Sequence, residues 1–244
     1  MEQERPDLLK QRRDRCDSQG NRAADRLMLL DETGLSTKMS RLRGRSACGE
    51  GCPAAIPHGH WKTTTFLGVL RLSGMTAPMV LVSAMNANAF RAFVQQILVP
   101  TLTAGDSVVM DNLSAHKTRG VREAIEAAGC QRIYLPAYSH DFNPIENAFA
   151  KLKVLLRAKA KGTVQALWDA IADLIDFFKP DECANYFKAC GYNPRLKRTC
   201  SSLSFHLPST GPNADGFADV EKSIDLEFLA LYDVLATSMQ RRSF

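Results

Sequence analysis

The chain has 244 residues, of which 45% are hydrophobic, so it is long enough to bury a substantial core. It carries 31 Lys and Arg against 26 Asp and Glu, which gives a formal net charge of +5. This small excess is compatible with a polyanionic partner but does not by itself indicate one. No apolar segment approaches the roughly 20 residues that a membrane-spanning helix needs, so we expect no membrane partner.

The first half of the chain predicts an arm followed by three strands. Residues 1–24 are polar and rich in arginine, which is typical of a helical or frayed arm. From residue 25 the segment RLMLLDE predicts a short strand, and a Ser-, Arg-, Gly- and Pro-rich connection over 36–60 follows it. The segments KTTTFLGVLRL and APMVLVSA then predict two strands separated by a Ser-Gly turn.

The second half alternates helices and strands. Helical spacing of apolar residues predicts a helix over 88–99, ended by Pro100. The segment DSVVMD predicts a buried strand, Ser114 is a candidate N-cap for a helix that continues to Ala128, and QRIYLPAY predicts another strand. Helical segments then begin at Pro144, Val164 and Asp181. This order of elements predicts an α/β protein with a ribonuclease H-like fold, in which helices flank a mixed central sheet.

Three carboxylates lie at the expected ends of these elements. Asp31 and Asp111 each follow an apolar run, as if a strand delivered the acid to its C-terminal edge, and Glu146 lies in the first turn of a helix. Residues 112–145 leave room for one helix, one strand and a turn between the second and third acids. Acids brought together in this way provide the oxygen ligands that hard divalent cations prefer. Two such ions can promote phosphodiester chemistry.

The blocks LMLLDETG, PHGHWKTTTF, SVVMDN and NPIENAFAKLK occur in this order, and together they resemble the catalytic core of a DDE transposase. The resemblance is to the bacterial insertion-sequence branch of the mariner-like superfamily, and it covers residues 25–192. It implies a transposase catalytic subunit that cleaves DNA at transposon ends and transfers the strands into target DNA. It also implies that Asp31, Asp111 and Glu146 are the catalytic residues and the ligands of two Mg²⁺ or Mn²⁺ ions.

The resemblance further implies the partners of the protein. These are double-stranded DNA, as inverted-repeat ends and as a short TA target, and a second copy of the chain in an active homodimer. Relatives carry helix-turn-helix domains ahead of the first catalytic Asp, whereas 30 residues precede Asp31 here. We therefore expect a separate helix-turn-helix protein, encoded by an upstream frame, to recognise the ends. The seven cysteines at irregular spacing and the charged N-terminus predict a reduced, cytoplasmic protein. The resemblance implies that it is bacterial and associates with the nucleoid.

Five residues are candidates for DNA contacts. Lys153 and Arg157 follow Glu146 on one face of the helix that begins at Pro144, where a DNA backbone would lie beside the acid. The other candidates are His60, Lys62 and Lys117.

The sequence also predicts the roles of several other residues. Trp61 is expected to pack in the core, and Glu32 to face away from Asp31 because side chains alternate along a strand. Asn143 is a candidate N-cap that would form a capping box with Glu146. The sequence Ser-His-Asp over 139–141 replaces the Ser-Pro-Asp that is usual in the family. Loss of this proline predicts a less rigid loop before the helix, in which Asp141 would hold the loop and would not bind metal.

Alternatives remain open at this stage. Each acid on its own is also typical of a turn or a helix cap, and Cys48 and Cys52 with the following histidines could form a zinc site. The chain could be an inactive or truncated relic that only binds DNA, or a stand-alone RNase H-like nuclease. Residues 193–244 predict a linker and a C-terminal helical tail to which we assign no function.

Overall fold

The computed structural model describes residues 5–58 and 60–194, so the predicted tail lies almost wholly outside the described residues. Six helices are present in this part of the chain: α1 (Pro6–Gln19), α2 (Ala87–Phe93), α3 (Arg119–Ala127), α4 (Pro144–Lys159), α5 (Val164–Ile175) and α6 (Pro180–Ala189). The strands are β1 (Leu27–Ser36), β2 (Thr63–Arg71), β3 (Gly74–Leu81), β4 (Ser107–Met110) and β5 (Gln131–Tyr134). None of the described helices is both long and apolar enough to cross a membrane.

The five strands form one mixed sheet in the order β3-β2-β1-β4-β5. The first three strands pair antiparallel, while β4 and β5 add to β1 in parallel. The predicted α/β class and mixed sheet are therefore confirmed. The connection between β1 and β2 is irregular over 37–58 and 60–62, and its ends are joined because Thr37 and Lys62 exchange hydrogen bonds of 3.0 Å.

The strand β1 is longer than predicted, and Asp31 lies in its middle rather than at its end. Its pairing with β4 stops at Leu29, but its pairing with β2 continues as far as Ser36. The β-branched Thr63, Thr64 and Thr65 extend β2, which gives the polar half of β1 a partner. Asp31 lies opposite Gly68 in this ladder. The apolar run that precedes Asp31 thus ends near the end of the β1–β4 pairing, whereas β1 itself continues beside β2.

The helix α4 packs its predicted apolar face against β1 and β2. The four residues of this stripe are each at most 1% exposed: Ile145, Phe149, Leu152 and Leu156. The ring of Phe149 meets that of Phe66 on β2 edge to face, with centroids 5.9 Å apart. This contact fixes the position of the helix that carries Glu146 over the strand that pairs with Asp31.

Two helices differ from their predicted form. The segment after Ser114 makes only one 3₁₀ turn before Thr118 adopts an extended conformation, and α3 begins at Arg119. A contact with another helix stabilises this turn. The buried ring of His116 stacks on that of Phe90 of α2, with the ring centroids 4.0 Å apart. In the predicted helix over 88–99, α2 changes to a π turn at Val94, and Pro100 lies within the 3₁₀ turn that closes the segment.

We expect Phe149→Ala to lower the free energy of unfolding by about 3–5 kcal/mol, because it removes a buried ring and leaves a cavity under α4. Val154→Ala is the matched control on the same helix, since Val154 is 61% exposed, and it should change stability by less than about 0.5 kcal/mol. Urea unfolding followed by circular dichroism measures both. Similar losses for the two variants would mean that α4 does not depend on this contact.

Candidate active site

The three predicted acids converge beside the end of the parallel pairing in the sheet. Asp31 lies on β1 and is 8% exposed, Asp111 directly follows β4, and Glu146 lies in the first turn of α4. In the β1–β4 register Leu29 pairs with Val109, so Asp31 and Asp111 each lie two residues beyond the last pair of the parallel ladder. The charges of Asp111 and Glu146 both act on the carboxyl of Asp31. The three acids thus lie within electrostatic reach of Asp31.

Asp31 has the most perturbed electrostatics of the three acids. Burial raises its pKa to about 7, although a hydrogen bond of 2.7 Å from the backbone N–H of Glu32 favours the charged form. The negative charges of Glu146, Asp111 and Glu32 raise the pKa further. The carboxylate therefore lies in an environment that lacks positive charge.

Asn143 contacts the buried acid Asp31, although the sequence predicted that its side chain caps α4. Its side chain does not cap α4; Nδ2 donates a hydrogen bond of 2.7 Å to Oδ2 of Asp31, and the residue is 2% exposed. The capping-box prediction is therefore wrong. From the local sequence alone, an Asn-Pro pair before a helix predicts a helix N-cap. The contact between Asn143 and Asp31 depends instead on the packing of α4 on β1.

Asp111 is held by its own turn and by a buried histidine. The backbone N–H of Leu113 donates a hydrogen bond of 3.3 Å to Oδ1, which is the Asx turn that was one interpretation of this acid. Nδ1 of His116 lies 2.5 Å from the same oxygen, and Nε2 lies 4.0 Å from Oε1 of Glu32. Glu32 thus points toward His116 and α2, whereas Asp31 points toward Asn143, as alternation along the strand predicts. His116 links Asp111 to the opposite face of the sheet.

Glu146 is the most accessible acid of the triad. Its side chain is 41% exposed, and Oε1 lies 3.4 Å from Nδ1 of His140 in the preceding loop. Asp141 lies in the same loop. It pairs with Arg12 of α1 through a contact of 2.7 Å, which confirms that it holds the loop.

The candidate DNA-contact residues lie on three separate elements. Lys153 and Arg157 are half-buried on α4, while the ammonium of Lys117 lies 6.0 Å from the ring centroid of Tyr134. His60 and Lys62 are exposed in the connection before β2.

Trp61 is not part of the core. Its side chain is 55% exposed, and the ammonium of Lys38 lies 4.3 Å from its ring centroid. The prediction of core packing is wrong because the strand begins only at Thr63, so Trp61 lies outside the ladder.

The donor set of the triad suits a hard divalent cation. The carboxyl of Asp31 is buried and is repelled by the charges of Asp111 and Glu146, and a cation would offset both the burial cost and the repulsion. Each acid has a polar partner, namely Asn143, His116 or His140. Within 5–58 and 60–194, no group of three His, Cys, Asp or Glu side chains is arranged to hold a metal ion. This applies to the triad and equally to the Cys48–Cys52 zinc alternative.

A family model described as DDE superfamily endonuclease matches residues 26–167. The match covers more than half of the chain and includes all three acids. The chain belongs to the DDE superfamily endonuclease family. A search of curated proteins gave no match.

Solved structures with the same fold include several of Mos1 transposase. One is a Mos1 paired-end complex with the left transposon end, 18% identical with a TM-score of 0.58, where the alignment covers 76% of this chain and 58% of that one. Another is the Mos1 catalytic domain with raltegravir and Mg, 14% identical with a TM-score of 0.54, covering 76% and 89%. This DDE chain therefore has a ribonuclease H-like fold, and it spans a little over half the length of the longer Mos1 chains.

We expect Asp31→Asn to stabilise the protein at pH 8 by up to about 4 kcal/mol and to have little effect near pH 4. The folded-state pKa of Asp31 is raised to about 7 from an ordinary value of 3.8. Its contribution to stability is therefore present below about pH 4 and lost as the pH rises through 7. Asparagine removes this loss because it stays neutral and its carbonyl still accepts from Asn143.

Urea unfolding at the two pH values measures the effect, and the exposed Asp169→Asn is the matched control. A wild-type to Asp31→Asn difference that is the same at both pH values would show that Asp31 ionises normally in the folded protein.

Proposed function

We propose that this chain is the catalytic part of a transposase, which cleaves DNA at transposon ends and transfers the strands into target DNA with divalent metal ions. The observation that carries the proposal is the convergence of Asp31, Asp111 and Glu146 in a DDE superfamily endonuclease, with one of them buried among like charges. A buried carboxylate that repels its neighbours has no stabilising role in the fold without a cation.

Two Mg²⁺ or Mn²⁺ ions would supply stabilisation of the attacking and leaving oxygens of an in-line displacement. Asp31, Asp111 and Glu146 would hold these ions through their carboxylate oxygens. Asn143 orients the carboxylate of Asp31 through its amide, and His116 holds that of Asp111. No side chain is needed as nucleophile, because water and then the freed 3′-hydroxyl of the DNA attack the phosphorus.

The proposed partners are transposon ends with inverted repeats, a TA target and a second copy of the chain. Mos1 structures support the transposon-end part of this assignment by analogy, since they include a paired-end complex with the left transposon end and a strand transfer complex. We assign the chain to the bacterial insertion-sequence branch and to the nucleoid, and we propose that a separate helix-turn-helix protein recognises the ends. Lys117, Lys153, Arg157, His60 and Lys62 are the proposed DNA contacts.

We expect Asp111→Asn and Glu146→Gln each to reduce Mn²⁺-dependent nicking of supercoiled plasmid by at least about 100-fold, because each removes one charged ligand. The control Glu123→Gln alters an exposed acid on α3 that pairs with Arg119, and it should leave nicking unchanged. Gel electrophoresis of the plasmid measures the rate. Equal rates for all three variants would contradict the proposed site.

The same assay with inverted-repeat DNA separates the alternatives. A transposase should cleave at the repeats and join the ends to new DNA, whereas a stand-alone nuclease would cleave without joining. A relic would bind DNA and cleave neither substrate.

We expect Lys153→Ala and Arg157→Ala each to weaken DNA binding and to reduce the slope of log K against log salt by about 0.9, the value for one lost phosphate contact. Lys179→Ala is the control because Lys179 is exposed and lies directly before α6 and not on α4. Fluorescence anisotropy with a labelled duplex at several salt concentrations measures the slope. If the two variants have the same slope as the control, then α4 does not contact the DNA.

A further inference from the structure

We propose that α1 positions the loop over residues 138–143 for the active site, with Arg12 and Arg15 as the positioning residues. The loop leads directly into α4, and it contains Asn143, the partner of Asp31. The role in positioning metal ligands rests on the proposed function, whereas the role in ordering the loop stands on the contacts alone. The family model begins at residue 26, so α1 lies outside the matched segment.

Arg12 makes the first set of contacts between α1 and the loop. Its Nη1 donates hydrogen bonds to the carbonyl of Tyr138 (2.9 Å), Oγ of Ser139 (2.9 Å) and Oδ1 of Asp141 (3.0 Å). Its Nη2 donates to Oδ2 of Asp141 at 2.7 Å, which makes the pair bidentate. The guanidinium also lies 5.0 Å from the ring centroid of Phe142. One side chain therefore contacts four of the six loop residues.

Arg15 makes the second set of contacts through Tyr192, which follows α6. Nη2 of Arg15 donates a hydrogen bond of 2.7 Å to the hydroxyl of Tyr192, and that hydroxyl donates to the carbonyl of Phe142 at 3.1 Å. Arg15 is 6% exposed and Tyr192 is 2% exposed. Gln19 of α1 donates to the carbonyl of Cys190 nearby. These contacts tie the loop to both α1 and the end of α6.

The loop has features that make such support necessary. Tyr138 has a φ of 57°, a left-handed conformation that is unfavourable for a residue other than glycine. The loop over 138–143 contains no proline, so no ring restricts its backbone. The polar character of α1 fits this role, because its buried side chains are Arg15 and Gln19, whereas Leu9 is 39% exposed. The helix docks through specific hydrogen bonds and not through an apolar face.

The test compares Arg12→Ala and Asp141→Asn with Arg13→Ala, which alters an exposed arginine on the same helix, in the full 244-residue chain. Hydrogen exchange of the peptide over 138–146 reports on loop order. Electron paramagnetic resonance of free Mn²⁺ reports on metal affinity. Plasmid nicking gives KM and kcat separately.

We expect faster exchange in 138–146 for both loop variants and roughly tenfold weaker Mn²⁺ binding, the size typical of lost outer contacts to metal ligands. The kcat of nicking should fall while KM for DNA stays unchanged. Arg12→Lys should recover little, because an ammonium cannot form the bidentate pair. Arg13→Ala should match the wild type in all three measurements.

The outcomes separate the two proposals. If Arg12→Ala and Asp141→Asn leave exchange in 138–146 and Mn²⁺ affinity at wild-type values, the positioning role is overturned. If wild-type protein binds no Mn²⁺ and nicks no plasmid, the proposed function fails, and the exchange data still decide whether α1 orders the loop. If Arg12→Ala does not fold, Asp141→Asn removes one charge of the pair without shortening a side chain, and the same criteria apply to it.

Discussion

The burial of the Asp31 carboxyl is the constraint on which the rest of the site depends. An acid in the middle of a strand, opposite Gly68 and under α4, loses most of its hydration, and its pKa rises to about 7. The carboxyl stays buried despite the free-energy cost of losing its hydration. The charges of Asp111 and Glu146 lie nearby and raise its pKa further. Such an arrangement is unfavourable for stability and favourable for binding a divalent cation, so stability and the proposed function make opposite demands on this residue.

The topology of the sheet explains why the acids meet where they do. The parallel pairing of β1 with β4 ends at Leu29 and Val109, while β1 continues beside β2 as far as Ser36. Asp31 and Asp111 each lie two residues beyond this last parallel pair. The helix α4 packs on β1 and contributes Glu146 from its first turn. The point where the parallel pairing ends is therefore also where the acids lie.

The sequence was sufficient to predict the mixed sheet and the placement of the acids along its elements, because both depend on patterns within short segments. Asp111 follows a four-residue apolar strand, and Glu146 follows Asn-Pro at the start of an amphipathic helix. The supporting contacts could not be predicted in this way. Asn143 forms a hydrogen bond with Asp31, which is 112 positions away in the sequence. Arg12 forms one with Asp141, which is 129 positions away. No local pattern encodes such pairs, and the cap preference of asparagine pointed to a different role.

The same distinction applies to the order of the loop before α4. The absence of proline from the loop over 138–143 leaves its backbone more conformational freedom, and the sequence therefore predicted a less rigid segment. The structure shows contacts from two directions, Arg12 on one side and Tyr192 on the other. Both partners come from outside the residues that the family model matches. Rigidity of a loop is thus a property of its tertiary contacts as well as of its own residues. Loss of a local restraint does not imply loss of the geometry that places Asn143 against Asp31.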